Sequence, residues 1–207
     1  MPRPRKHEPE RILDATRELV LSAGARAASI EAIAGASGAP VGTLYHRFGS
    51  RTELLAEVWL RALERFQLSY LQEADEALDP VDAGVGMATA VVRFARRHPA
   101  DAQLLLRLRR RDLFDADTDG ALRERLDAMN EPLEKAVRRL ARSLHGRAGA
   151  REVARTLLVV VDLPYGALRR HAREGKVPAW LEEEVAELAH TLLSASAART
   201  RSRPPPA

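Results

Sequence analysis

The sequence predicts an all-α protein of about nine helices, and three observations carry that expectation. Apolar residues recur three and four apart through nearly the whole chain, and no segment shows a period of two or an internal repeat. Helix punctuation falls where that pattern begins and ends: Ser29 and Ser50 open segments, while Gly24, Gly38, Gly146 and Gly175 close them. The 207 residues are 45% apolar and 30% charged, enough for a real core and unlike a disordered or membrane-embedded chain.

A first helix is expected over roughly Glu8–Ala23, with Ile12, Leu13, Thr16, Leu19, Val20 and Ala23 on one face and Glu8 and Glu10 at the positive end. Ser29 caps a second, with Glu31 in its first turn and Ile30, Ile33 and Ala34 turned inward. A third begins at Pro40, whose fixed φ suits a first helical position. It puts Leu44 and Phe48 on one face and leaves Val41, Thr43, Tyr45, His46 and Arg47 around the others. Two short helices joined by a glycine-containing turn make a helix-turn-helix over about 29–48. So short a third helix cannot stand alone in water, so neighbours must brace it, and its polar, aromatic face is left for a partner.

Ser50 with Glu53 reads as a capping box that opens a long helix through Leu54, Val58, Trp59, Phe66 and Leu71 toward Leu78. About 27 residues of helix span roughly 40 Å. Further helices are expected over about 81–97, stopped at His98-Pro99, then 101–112, then 121–144 with Pro132 inside. The most apolar covers about 151–173 and contains Leu157-Leu-Val-Val-Val-Asp-Leu-Pro-Tyr-Gly166. The last starts near Pro178, with Glu182, Glu183 and Glu184 at its positive end, and reaches about Ala198. Residues 199–207 read as a disordered tail. The expected division is therefore 1–50, 51–198 and 199–207.

Charge and cysteine usage narrow the class. Residues 1–51 hold eight Lys/Arg against five Asp/Glu, and the rest of the chain 25 against 24. The excess sits at the N-terminal end, as a nucleic-acid footprint would, although 30 of the 33 basic residues are Arg throughout the chain, which reads mainly as base-composition bias. No apolar run approaches the ~18 residues of a membrane span, and the N-terminus has charge without an apolar core, so no signal peptide is expected. Without cysteine there is no disulfide framework, and a cytoplasmic setting is expected.

Ile12-Leu-Asp-Ala-Thr, Leu19, Gly24, Ile33-Ala34, Gly38 and above all Gly42-Thr-Leu-Tyr-His-Arg-Phe-Gly-Ser-Arg-Thr-Glu-Leu-Leu55 carry a resemblance. Residues 10–55 resemble the DNA-binding domain of TetR-type (tetracycline-repressor-like) transcriptional regulators, and the family domain extends into the fourth helix, about 8–67. The resemblance implies that the third helix enters the major groove. It also implies that the central helices enclose a ligand pocket and that the last two helices form a four-helix bundle with a second subunit.

Carried onto this chain, it makes Ser29, Glu31, Val41, Gly42, Thr43, Tyr45, His46, Arg47 and Arg51 candidate DNA contacts, with Arg3, Arg5 and Lys6 as a basic arm toward backbone or minor groove, or else an inert tail. Thr43 and Tyr45 offer hydroxyls and His46 a ring N–H to phosphate, and Arg51 stands where the family carries a phosphate-contacting lysine. Two departures concern the operator sequence. Ala39-Pro40 replaces the family's usual Ser or Thr cap, weakening that helix start by about 1 kcal/mol, and Glu31 stands where some relatives place a base-reading cation.

Candidate pocket residues are Trp59, Phe66, Met87, Phe94, Leu105, Arg109, Asp162 and Tyr165; spacing alone equally makes the first four ordinary core. Leu157, Val161, Gly166, Leu188 and Leu192 are candidate dimer contacts, and Asp162 and Tyr165 suit either role. Other chemistry finds no support. Gly38–Thr43 lacks the lysine and strand of a P-loop, and Asp115–Gly120 copies a calcium loop whose twelfth position is Leu126 where a bidentate Glu is needed. The six histidines show no metal-ligand spacing, and no catalytic triad can be picked out. No cofactor, metal or enzymatic activity is expected. The expected protein is a homodimeric, ligand-responsive regulator, a repressor released from a palindromic DNA operator by a small-molecule effector. The alternative is an all-α small-molecule-binding or adaptor protein whose helix-turn-helix meets protein.

Overall fold

A computed structural model describes residues 8–76, 79–108, 113, 120–172 and 176–201. Arg3, Arg5, Lys6, Arg109, the acidic run 115–119 and residues 202–207 lie outside the described residues. Those described form α-helices α1 (Glu8–Ala23), α2 (Ile30–Ser37), α3 (Val41–Phe48), α4 (Arg51–Glu76), α5 (Pro80–Arg97), α6 (Pro99–Arg107) and α7 (Gly120–His145). They continue with α8 (Ala150–Leu157), a π-helical turn (Leu158–Asp162), α9 (Leu163–Ala172) and α10 (Trp180–Arg201). A 3₁₀ turn, Ala25–Ala27, links α1 to α2. The fold is all-α, and counting α8, the π turn and α9 as one interrupted helix gives the expected nine among the described residues.

Local signals account for the first boundaries. The Ser29 hydroxyl oxygen accepts from the Ala32 amide at 3.1 Å, as an N-cap should. Gly38 closes α2 in the left-handed conformation, φ 72°, and donates to the Ala34 carbonyl at 2.9 Å. Pro40 sits one position earlier than its fixed φ suggests: it is the N-cap of α3 rather than its first residue, with no capping side-chain bond, and its carbonyl accepts from Thr43 at 2.9 Å. Ser50 caps α4 by accepting from the Glu53 amide at 3.2 Å, but the reciprocal half of the box is replaced, because the Ser50 amide donates to Phe48.

The chain divides into two compact units, one drawn from residues 1–64 and 98–127, the other from 65–97 and 128–207. In the first, Ile12, Val20, Ile33, Leu44, Leu54 and Val58 form the core under α3. Arg61 on α4 reaches back to Glu10 and Asp14 on α1, 2.7 Å each, and Arg17 pairs with the buried Asp101 of α6 at 2.7 Å. Because the Asp101 carboxylate is nearly dry, removing Arg17 would take a cation from a buried carboxylate, a costlier loss than at the surface.

In the second unit α5 and α10 pack along Met87, Val92, Val185, Ala189 and Leu193. Gly84 permits that approach, since a Cβ there would overlap the buried Leu193 Cδ1. The long helix expected over 151–173 is interrupted, and Pro164 is the reason: a proline inside a helix has no N–H for the carbonyl four residues back.

Candidate nucleic-acid interface and ligand cavity

The helix-turn-helix presents a mixed face. Leu44 is fully buried and Phe48 half-buried, so α3 is pinned from one side, while Tyr45 is 50% exposed and Val41, Gly42, His46 and Arg47 also face outward. Thr43 is half-buried at the edge of that face. Gly42 has open space where a Cβ would stand, so the backbone itself is reachable there. Exposed aromatic and hydroxyl groups beside an accessible backbone suit phosphate and base-edge contact.

Glu31, in the first turn of α2, is exposed. Its own backbone amide and the Ser29 hydroxyl hold its carboxyl below the ordinary carboxylate range, so it stays ionised. Ser29, as the α2 cap and a partner of Glu31, already has local work for its hydroxyl.

Arg51 is differently placed from the bare phosphate anchor that family resemblance implies. Its Nε donates to the Ala28 carbonyl at 2.8 Å, and one terminal nitrogen donates to the Ala25 carbonyl. The side chain therefore ties the first turn of α4 to the 3₁₀ turn between α1 and α2, using two of its five N–H groups. Sequence reading missed this brace because its acceptors are backbone carbonyls 26 and 23 residues back.

In the second unit a cavity of about 480 Å³ is lined by Phe66, Tyr70, Leu133, Val137, Val153, Leu157 and Val161, with Asn130, Glu134 and Arg138 as its polar members. Such a volume and an apolar lining with few polar groups are the usual character of a small-molecule site. Asn130 is oriented by Gln67, whose Nε2 donates to its Oδ1 at 3.2 Å, leaving the Asn130 NH₂ as a donor.

Of the eight pocket candidates, Phe66 lines this cavity, its ring 5.4 Å from both Tyr70 and Phe94. Met87 and Phe94 are buried core, and Asp162 and Tyr165 are exposed. Trp59 and Leu105 belong to the first unit. Leu157 and Val161, candidate dimer contacts, line the cavity, while Leu188 and Leu192 on α10, Leu158 in the π turn and Tyr165 on α9 are exposed apolar surface. Gly166 is exposed with open space around it. Tyr70, Asn130, Leu133 and Val137 were not among the sequence candidates; the i, i+4 step from Phe66 to Tyr70 was the available signal.

Among the described residues no group of three or more His, Asp or Glu could hold a metal ion, and no helix is long and apolar enough to cross a membrane.

Comparison with known proteins bears on the fold and on the N-terminal residues. No curated protein sequence matches the chain. Solved structures share its fold at low identity. A putative transcriptional regulator from Pseudomonas aeruginosa PAO1 is 15% identical over 97% of this chain and 96% of that one, with a TM-score of 0.73. The TetR family transcriptional regulator PfmR from Thermus thermophilus is 22% identical over 89% and 97%, with a TM-score of 0.67. The regulator FadR from Bacillus subtilis, solved in complex with stearoyl-CoA, is 13% identical over 91% and 97%, with a TM-score of 0.58. The family model for bacterial regulatory proteins of the tetR family matches residues 12–58, which run from the α1 core through the helix-turn-helix into α4. Over those residues the chain is similar to the tetR family of bacterial regulatory proteins.

Proposed function

We propose that this chain is a ligand-responsive, sequence-specific DNA-binding repressor that works as a homodimer. The observation that carries the proposal is the outward face of α3, where Val41, Gly42, Tyr45, His46 and Arg47 stand exposed over a buried Leu44, inside the segment the family model matches. In this reading Tyr45, Thr43 and His46 hold phosphates, Val41 meets a thymine methyl, and Glu31 accepts from a cytosine amino group. Arg51 acts chiefly as the brace that fixes the motif, with Nη1 left for a phosphate. The arm at Arg3, Arg5 and Lys6 adds backbone charge.

Two copies would present their recognition helices about 34–36 Å apart on a pseudo-palindromic operator. The exposed apolar residues Leu158, Leu188 and Leu192 supply the surface that a second copy would cover.

The effector is placed in the cavity at Phe66 and Tyr70. An amphipathic molecule with an aliphatic part suits its lining, and FadR, which shares the fold, was solved with stearoyl-CoA. α4 carries Arg51 and Phe66 on one unbroken helix, roughly 22 Å apart along its axis. Differential binding of an effector to two settings of α4 needs to supply only about 1–3 kcal/mol to change operator affinity 5- to 150-fold.

Selection of bound sequences from random duplexes tests the reading. An enriched palindrome whose binding weakens with salt is expected; binding of no duplex, with retention of a protein partner through α3, would favour an adaptor role.

A further inference from the structure

Pro164 takes one backbone donor out of the helix that α8 and α9 would otherwise continue. In a regular helix the Val160 carbonyl would accept from the amide of residue 164, but residue 164 is a proline. Val160 is fully buried, so water cannot replace that donor. The Tyr70 hydroxyl replaces it: the phenol of α4, itself almost wholly buried, donates to the Val160 carbonyl at 3.1 Å. A buried acceptor in the weakest turn of this helix is thus satisfied by a side chain 90 positions away in sequence.

The same Tyr70 ring lines the 480 Å³ cavity, beside Phe66 from its own helix and Leu157 and Val161 from the interrupted one. On its outer side the π turn carries Leu158, 58% exposed, with Tyr165 following on α9.

We infer that Tyr70 is the positioning residue through which an occupant of the cavity acts on the α8–α9 helix. An occupant that displaces the ring, or offers its own acceptor to the hydroxyl, deprives the Val160 carbonyl of its donor where Pro164 has already broken the ladder. The turn must then find another arrangement, and Leu158 and Tyr165 move with it. The inference rests on the cavity being the effector site, and it assigns the regulatory event in that site to one hydrogen bond.

Hydrogen exchange on the full chain, without DNA, tests it. Tyr70→Phe keeps the ring and removes only the donor, and amide protection over residues 158–168 should fall roughly 5- to 100-fold. Pro164→Ala returns an N–H to the position that Val160 needs. In that background Tyr70→Phe should cost several-fold less. Saturation with 1-anilinonaphthalene-8-sulfonate, an amphipathic anion, should lower protection of the same segment in the parent and leave Tyr70→Phe unchanged.

Equal losses in both backgrounds, or no loss in either, would overturn the role of the bond. A dye that does not bind, or binds without changing this segment, would overturn its link to the cavity. Because no readout involves DNA, failure of operator binding would leave these results standing, and their failure would leave operator binding untouched.

Discussion

Replacing Arg51 by alanine removes two hydrogen bonds from a charged donor to the carbonyls of Ala25 and Ala28. Bonds to charged groups contribute about 1.5–3 kcal/mol each when shielded, and Arg51 is half-buried, which brings the expected loss for the pair to roughly 2–3 kcal/mol. Ala28 is fully buried, so its carbonyl is left without water as well as without the guanidinium. Arg51→Lys keeps the charge but offers a single ammonium where a planar fork reached two acceptors, and should lose about half as much.

Chemical denaturation, followed by exchange protection of the 24–30 segment, measures the loss. Fluorescence anisotropy on an operator duplex measures binding in the same variants. If Arg51 is mainly a brace, alanine lowers both stability and affinity, and lysine restores them in proportion. Weakened DNA binding with unfolding unchanged to within about 0.5 kcal/mol would refute the brace and leave a phosphate contact as its whole role.

Three further outcomes are expected. Tyr45→Ala should weaken operator binding about fivefold or more while leaving unfolding nearly unchanged, because the ring is half exposed; denaturation beside anisotropy checks both. Leu188→Glu with Leu192→Glu should turn a sedimenting dimer into a monomer and reduce operator affinity, since both side chains lie on exposed apolar surface of α10.

The third concerns pH. Burial first, then the nearby Arg155 charge, lowers the His145 pKa, against an opposing pull from Glu152. The folded state therefore favours the neutral ring. Its contribution is complete above the unfolded value of about 6.5 and is lost as pH falls through the lowered folded value. Stability should thus decline on acidification below about pH 6.5, and a titration of His145→Gln should show a flatter decline.

The helix-turn-helix was legible because its signals are local. Ser29, Gly38 and Ser50 each act within three or four residues, so the α2, α3 and α4 starts follow from the sequence to within a residue. Pro40 shifted by one position because a proline fixes φ, which an N-cap and a first helical residue can share.

What escaped depends on residues far apart in the chain. Pro164 visibly threatens a helix, but nothing nearby says that Tyr70 will satisfy the carbonyl it orphans. Resemblance led to the expectation that Arg51 contacts phosphate, yet its acceptors belong to the turn after α1. Helical spacing marks Phe66, Met87 and Phe94 as equally apolar; only packing separates the ring at the cavity wall from the two in the core. Leu188 and Leu192 fall on the same footing, since periodicity gives apolar faces but not what covers them.

The central claim, that α3 reads DNA as one half of a symmetric pair, is tested most directly by spacing. Anisotropy titrations would compare a selected palindrome with the same half-sites separated by about five more base pairs, which turns them to opposite faces of the duplex. The account predicts tight, salt-sensitive binding to the first and a large loss on the second, with Tyr45→Ala weakening the first. Equal affinity for both duplexes, insensitive to salt, would contradict it.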